Sequence, residues 1–137
     1  MADSSLADFS FELVSPSGIV FSGPVEAVIA PTADGEITVL AGHTPLVSLL
    51  KTGILTIVEK GDQRTNLLIF GGFLDVIPSR LSVLVEQSFK DGEWTAETID
   101  DAIDQMTAQQ DKSDNADEKA LIEENLYTLQ QLRKQVA

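Results

Sequence analysis

The chain has no cysteine, one histidine, one tryptophan and one tyrosine in 137 residues, and 9 basic side chains against 22 acidic ones. Without cysteine there is no disulfide framework, no thiolate metal site and no cysteine nucleophile. That absence also fits a reducing compartment. A lone histidine, His43, cannot build a catalytic triad or a zinc site by itself, because both need further converging groups. The formal charge of -13 works against partners held through their phosphates, which require clustered Lys and Arg. Nucleic acid is therefore not an expected partner, nor is direct membrane insertion. No apolar run approaches the roughly 18 residues needed to span a bilayer. The first ten residues, "MADSSLADFS", have neither the basic nor the apolar region of a signal peptide, so the chain is expected to stay in the cytosol.

What is present falls into two parts with different periodicities. From Phe9 to Gln87 the apolar residues come in short runs of strand length. Phe9, Phe11 and Leu13 alternate with Ser10 and Glu12, as in a half-buried strand. Leu81, Val83 and Val85 alternate with Ser82 and Leu84, less cleanly on the outer side because Leu84 is apolar. "SPSG", "KGDQ" and "PSR" supply turn residues between runs. Reading "FSFELV", "GIVF", "VEAVIA", "EITVL", "LVSLL", "ILTIVE", "TNLLIF", "FLDVI" and "LSVLVE" as strands gives about nine. Strands this short and regular predict an antiparallel sandwich or flattened barrel over residues 1–90.

Beyond "KDGEW" the spacing becomes helical. Ile99, Ala102, Ile103 and Met106 share one face, predicting a helix over residues 96–110. Asn115 followed by Glu118 resembles a capping box. Ile122, Leu126, Leu129, Leu132 and Val136 then continue an apolar stripe. Residues 91–137 are thus expected to form an antiparallel two-helix hairpin, and the fold class is α+β. This part is the more acidic, with 12 acidic and 4 basic side chains against 10 and 5 in residues 1–90.

Chemistry is sparse. Asp100, Asp101 and Asp104 lack the loop pattern of a calcium site and read as a solvated helix face. Gly71 and Gly72 lie between two apolar runs with no helix following, so close backbone packing or a bulge explains them better than a phosphate cradle. His43 reads as a loop residue that bonds locally or meets a partner. Neither a metal nor a cofactor is expected, and the residues favour a binding or structural module over an enzyme. On composition alone this could be a free-standing sandwich that recognises carbohydrate or peptide, with the hairpin as a dimerisation tail.

Three segments in order narrow the choice: "LVSPSGIVFSGPVEAVIAPTADGEITVLAGHTPLV", "LKTGIL" and "GGFLDVIPSRLSVLVE". With their Gly35-Glu36, Gly42-His43-x-Pro45 and Gly71-Gly72-Phe73 elements, they resemble the epsilon-subunit family of bacterial-type F-type ATP synthases, counterparts of mitochondrial delta. The resemblance covers nearly the whole chain. It implies a sandwich of about ten strands plus a helical hairpin, and a non-catalytic place in the central stalk, or rotor. There the subunit would bind gamma and the c-ring and help couple proton translocation to ATP synthesis, at the cytoplasmic face of the bacterial inner membrane. By position, Glu36, Ile37 and His43 would face the c-ring, while His43, Leu46 and Ser48 would face gamma. Alpha and beta subunits are further implied partners through the hairpin.

One motif of the family is degenerate. Relatives that bind regulatory ATP carry a pattern like I/L-D-x-x-R-A, whereas this chain has "IDDAID". Ile99 and Asp100 fit, but Ile103 stands at the arginine position and Asp104 at the alanine. A triphosphate would lose its guanidinium contact and meet an extra carboxylate, which argues against ATP binding. The acidic hairpin likewise argues for weak control of ATP hydrolysis.

Overall fold

The computed structural model describes residues 7–135, so Val136, the last member of the expected stripe, lies outside the described residues. The chain separates into two compact units, one ending at Asp91 and the other starting at Gly92.

The first unit holds ten strands: β1 Phe9–Ser15, β2 Gly18–Val25, β3 Ala27–Thr32, β4 Gly35–Val39, β5 Leu46–Leu49, β6 Gly53–Glu59, β7 Gln63–Phe70, β8 Phe73–Ile77, β9 Arg80–Leu84 and β10 Gln87–Lys90. They form two five-stranded sheets, in the orders β2-β1-β9-β8-β5 and β10-β7-β6-β3-β4. All neighbours are antiparallel except β1 and β9, which run parallel with Phe11 opposite Leu81. The period-two pattern decides which side faces inward. Phe9, Phe11 and Leu13 of β1 are buried, with Leu55, Ile69 and Leu81 among those that meet them in the common core. Each large side chain so buried contributes about 1.5–3 kcal/mol of transfer free energy.

The sheets are joined at corners where successive residues bond to different sheets. "VEAVIA" is not one strand but the end of β2 and most of β3, bent at Glu26, whose N–H donates to Val58 O at 2.8 Å. At the second corner Val85 N–H donates to Val14 O at 2.9 Å and Glu86 N–H to Phe70 O at 3.2 Å. The β3–β4 turn is tied to the first sheet by Ala33 N–H to Leu49 O and Lys51 N–H to Pro31 O, both 2.9 Å. The result is a flattened barrel as much as a sandwich.

The second unit is α1, Ala96–Lys112, and α2, Ala116–Gln135. Thr95 caps α1 by accepting from Thr98 N–H at 3.3 Å, and Thr98 Oγ1 accepts in return from Thr95 N–H at 3.1 Å. Helix α1 runs two residues further than the expected 110, and Ser113 to Asn115 make the link. Asn115 then caps α2, its Oδ1 accepting from Asp117 N–H at 2.8 Å and Glu118 N–H at 3.1 Å. These caps satisfy amides that a helix start leaves without partners. The helices are antiparallel. Arg133 near the end of α2 pairs with Asp100 near the start of α1 at 2.9 Å, while Gln110 Nε2 reaches Lys119 O at 3.4 Å at the opposite end.

Candidate functional site

Glu36 and Ile37 follow Gly35 at the start of β4. Pro31 stands opposite Glu36 and Ala30 opposite Ile37. The turn before them is held by Thr32, whose hydroxyl donates to Gly35 O at 2.6 Å and accepts from Asp34 N–H at 3.2 Å. Glu36 is exposed, and Ile37 packs part of its side chain on the core.

His43 is elsewhere. It sits in the loop after β4, where Gly42 N–H donates to Pro78 O at 3.0 Å and His43 N–H to Leu40 O at 3.1 Å. Its Nδ1–H donates to the neighbouring Thr44 carbonyl at 2.7 Å, which fixes the ring locally. Since β4 rises about 3.3 Å per residue, Glu36 and His43 are held at opposite ends of that strand. The structure brings Glu36 and Ile37 together and places His43 at the far end of the strand. Among the described residues no three His, Asp or Glu side chains are placed to hold a metal ion.

Strand β5 leads back from the His43 end. Leu46, opposite Val76, packs partly on the core, and Ser48, opposite Leu74, donates from Oγ to the Leu49 carbonyl at 3.3 Å. The residues of β5 that project outward are the other two: Val47 is 70% exposed and Leu49 62%.

Leu49 begins a row that sequence reasoning missed. Across the outer face of the first sheet, the register places Leu49 beside Phe73, Phe73 beside Leu84, Leu84 beside Val14 and Val14 beside Ile19. The five side chains are apolar, and Ile19 is 66% exposed. Four interstrand steps of about 4.8 Å make a strip about 19 Å long. It lies at the end of the sheet nearest the Gly71-Gly72 turn and the Val85 corner. The next row along the strands starts with the exposed Val47 and is polar from there on, through Asp75, Ser82, Glu12 and Ser22. The untidy outer side of β9, where Leu84 breaks the alternation, was the local signal of the strip. Contiguous exposed apolar surface of this kind marks interaction sites on soluble chains.

In the hairpin, Ile99 is buried and Ile103 half-buried, while Asp100 and Asp104 are exposed. The Asp100 carboxylate accepts from Arg133 Nε. Among the described residues, the degenerate motif thus has a charged partner from the chain's own second helix.

These features define the class first: a β-sandwich scaffold with an extended apolar face, joined to a capped helical hairpin. The family model for the ATP synthase delta/epsilon chain β-sandwich domain matches residues 8–91. The ATP synthase epsilon chain of Allorhizobium ampelinum is 33% identical over 91% of this chain and 93% of that one. That of Agrobacterium fabrum is 32% identical over 98% and 96%. This chain therefore belongs to the ATP synthase delta/epsilon family. Two solved structures share the fold. A chain of the Euglena gracilis mitochondrial ATP synthase, in a structure of OSCP, F1 and c-ring, matches with TM-score 0.71 at 23% identity, over 98% of this chain and 86% of that chain. A chain of the Tetrahymena thermophila mitochondrial ATP synthase central stalk and c-ring matches with TM-score 0.61 at 13% identity, over 95% and 99%.

Proposed function

We propose that the chain is a non-catalytic central-stalk subunit of an F-type ATP synthase, binding gamma and the c-ring and so coupling proton translocation to ATP synthesis. Family membership supports the class, and the apolar strip Leu49, Phe73, Leu84, Val14 and Ile19 is the observation that carries the binding role. A chain of charge -13 that keeps such a strip in water bears its solvation cost for a partner. The free-standing carbohydrate or peptide module is not favoured, because near full-length relatives are epsilon chains.

Gamma is assigned to the outer face of the first sheet and to the segment from His43 through Leu46 and Ser48, with Val47 and Leu49 as its outward side chains. The c-ring is assigned to the end of the sandwich that presents Glu36 and Ile37. An exposed acid on a braced turn suits basic or amide groups on polar loops, where a rim pair steers encounter more than it stabilises. His43, at the other end of β4 from Glu36, is assigned to gamma and to the junction of gamma with the c-ring. The site of action is the cytoplasmic face of the bacterial inner membrane, with attachment through the c-ring. No helix among the described residues is long and apolar enough to cross a membrane.

The hairpin is assigned at most a weak grip on alpha and beta subunits, since its charge is adverse to acidic surfaces and its Arg133 is engaged with Asp100. The test of the whole assignment is co-expression with the gamma subunit of the same source. A stoichiometric complex on size exclusion is expected, and separate elution of the two chains at micromolar concentration would overturn it.

A further inference from the structure

We infer that the gamma surface seated on the first sheet presents an apolar ridge flanked on one side by basic side chains, and that Asp75 and Glu12 set its orientation. The inference rests on the rotor assignment above and adds the chemistry of the contact. Its basis is the order of the rows on that face. The apolar strip is followed, two residues away on β1, β8 and β9, by a row in which Asp75 pairs with Ser82 and Ser82 with Glu12. The step between rows is about 6.6 Å, and the two carboxylates are separated by two strand spacings, about 10 Å.

A partner wide enough to cover the strip must therefore crowd both carboxylates. Asp75 is exposed and Glu12 half-buried. Arg80, paired with Ile77 on one side and Ser10 on the other, lies one row beyond them. Taking water from the two acids without supplying a cation costs free energy, whereas a Lys or Arg from the partner turns the same approach into a charge-assisted contact. The strip alone carries little directional information, since its two ends, Leu49 and Ile19, are both exposed aliphatic side chains. With the acids on one flank only, a partner turned end for end would bring its basic side to the wrong edge. Like-for-unlike placement of this kind gives specificity and encounter rate more than affinity.

The experiment uses the full-length chain and its own gamma, with the dissociation constant measured by titration across a range of ionic strength. For Asp75→Asn combined with Glu12→Gln, binding is expected to weaken about tenfold at low salt and to lose most of its salt dependence. Asp75→Lys combined with Glu12→Lys should weaken it further. Phe73→Ser should weaken binding while leaving the salt dependence as in the parent. Asp101→Asn with Asp104→Asn changes net charge equally and should match the parent; far-UV circular dichroism confirms folding of each variant. If gamma binds the neutralised pair with the parent's affinity and salt slope, the inference is wrong and the rotor assignment stands. Failure of the parent to bind gamma at any salt overturns both.

Discussion

Replacing Gly72 by alanine should be among the most damaging single-methyl changes in this chain. Gly72 has φ +117, a backbone conformation that favours glycine, and a β-carbon there would run into the Leu84 carbonyl oxygen and come within 2.9 Å of Leu84 C and Val85 Cα. The colliding atoms are backbone, at the corner where β9 leaves one sheet for the other, so no rotamer change relieves them. Nor can Gly72 retreat freely, since its carbonyl accepts from Leu50 N–H at 2.9 Å and Phe73 next to it pairs with Leu84. The left-handed conformation costs an L-residue about 1–2 kcal/mol, and forced overpacking adds about 1–3 kcal/mol. Their sum, about 2–5 kcal/mol, is a large share of the 5–15 kcal/mol typical of a whole domain. Gly35 supplies the matched control, for it has nearly the same φ, +116, with nothing within 4 Å of its β-carbon position. Gly35→Ala should therefore lose the conformational part alone. Urea unfolding followed by far-UV circular dichroism compares the two midpoints. Equal midpoints for Gly72→Ala and Gly35→Ala would show that the close approach to Leu84 has no energetic weight.

Other outcomes follow from the hairpin. Thr95→Ala removes the reciprocal cap of α1 and should cost about 1 kcal/mol, read as a lower urea midpoint of the helical signal. A double-mutant cycle on Asp100→Ala and Arg133→Ala should give a coupling below about 1 kcal/mol that shrinks with salt, because both side chains are about half exposed. Titrating ATP into the subunit should give no saturable heat or Trp94 fluorescence change, given Ile103 and Asp104 where a phosphate-binding pattern would have Arg and Ala; micromolar saturation would refute this. Deleting residues 91–137 should leave ATP hydrolysis by the reassembled synthase unchanged, and a several-fold rise would show that the hairpin inhibits.

Local pattern was enough to find most elements, since alternation and turn residues act within a few positions. It failed where a strand is carried by its neighbour. β10, "QSFK", has one apolar residue of four and exists through its pairing with β7. It failed also at Glu26, where a continuous apolar run hides a corner made by a bond to Val58. Glu36 and His43 are seven positions apart, separated by the strand read from "EITVL", and the register of β4 shows that they occupy different ends of it. The apolar strip was the least legible feature. It takes one residue from each of five strands, and two of its junctions depend on the bulge between Leu13 and Val14 and on the parallel register of β1 with β9.

That parallel pairing has a consequence for how the chain is made. Position 11 finds its neighbour at position 81, so β1 and β2 leave the ribosome well before the strand that covers β1's other edge. Contacts so distant in sequence are slow to form because the loop must close before they reward it. Until Arg80–Leu84 has been synthesised, β1 presents one unpaired edge with Phe11 and Leu13 uncovered, the condition in which strands aggregate. The interval between the making of β1 and the covering of that edge is at least the time taken to synthesise everything from the first turn to β9.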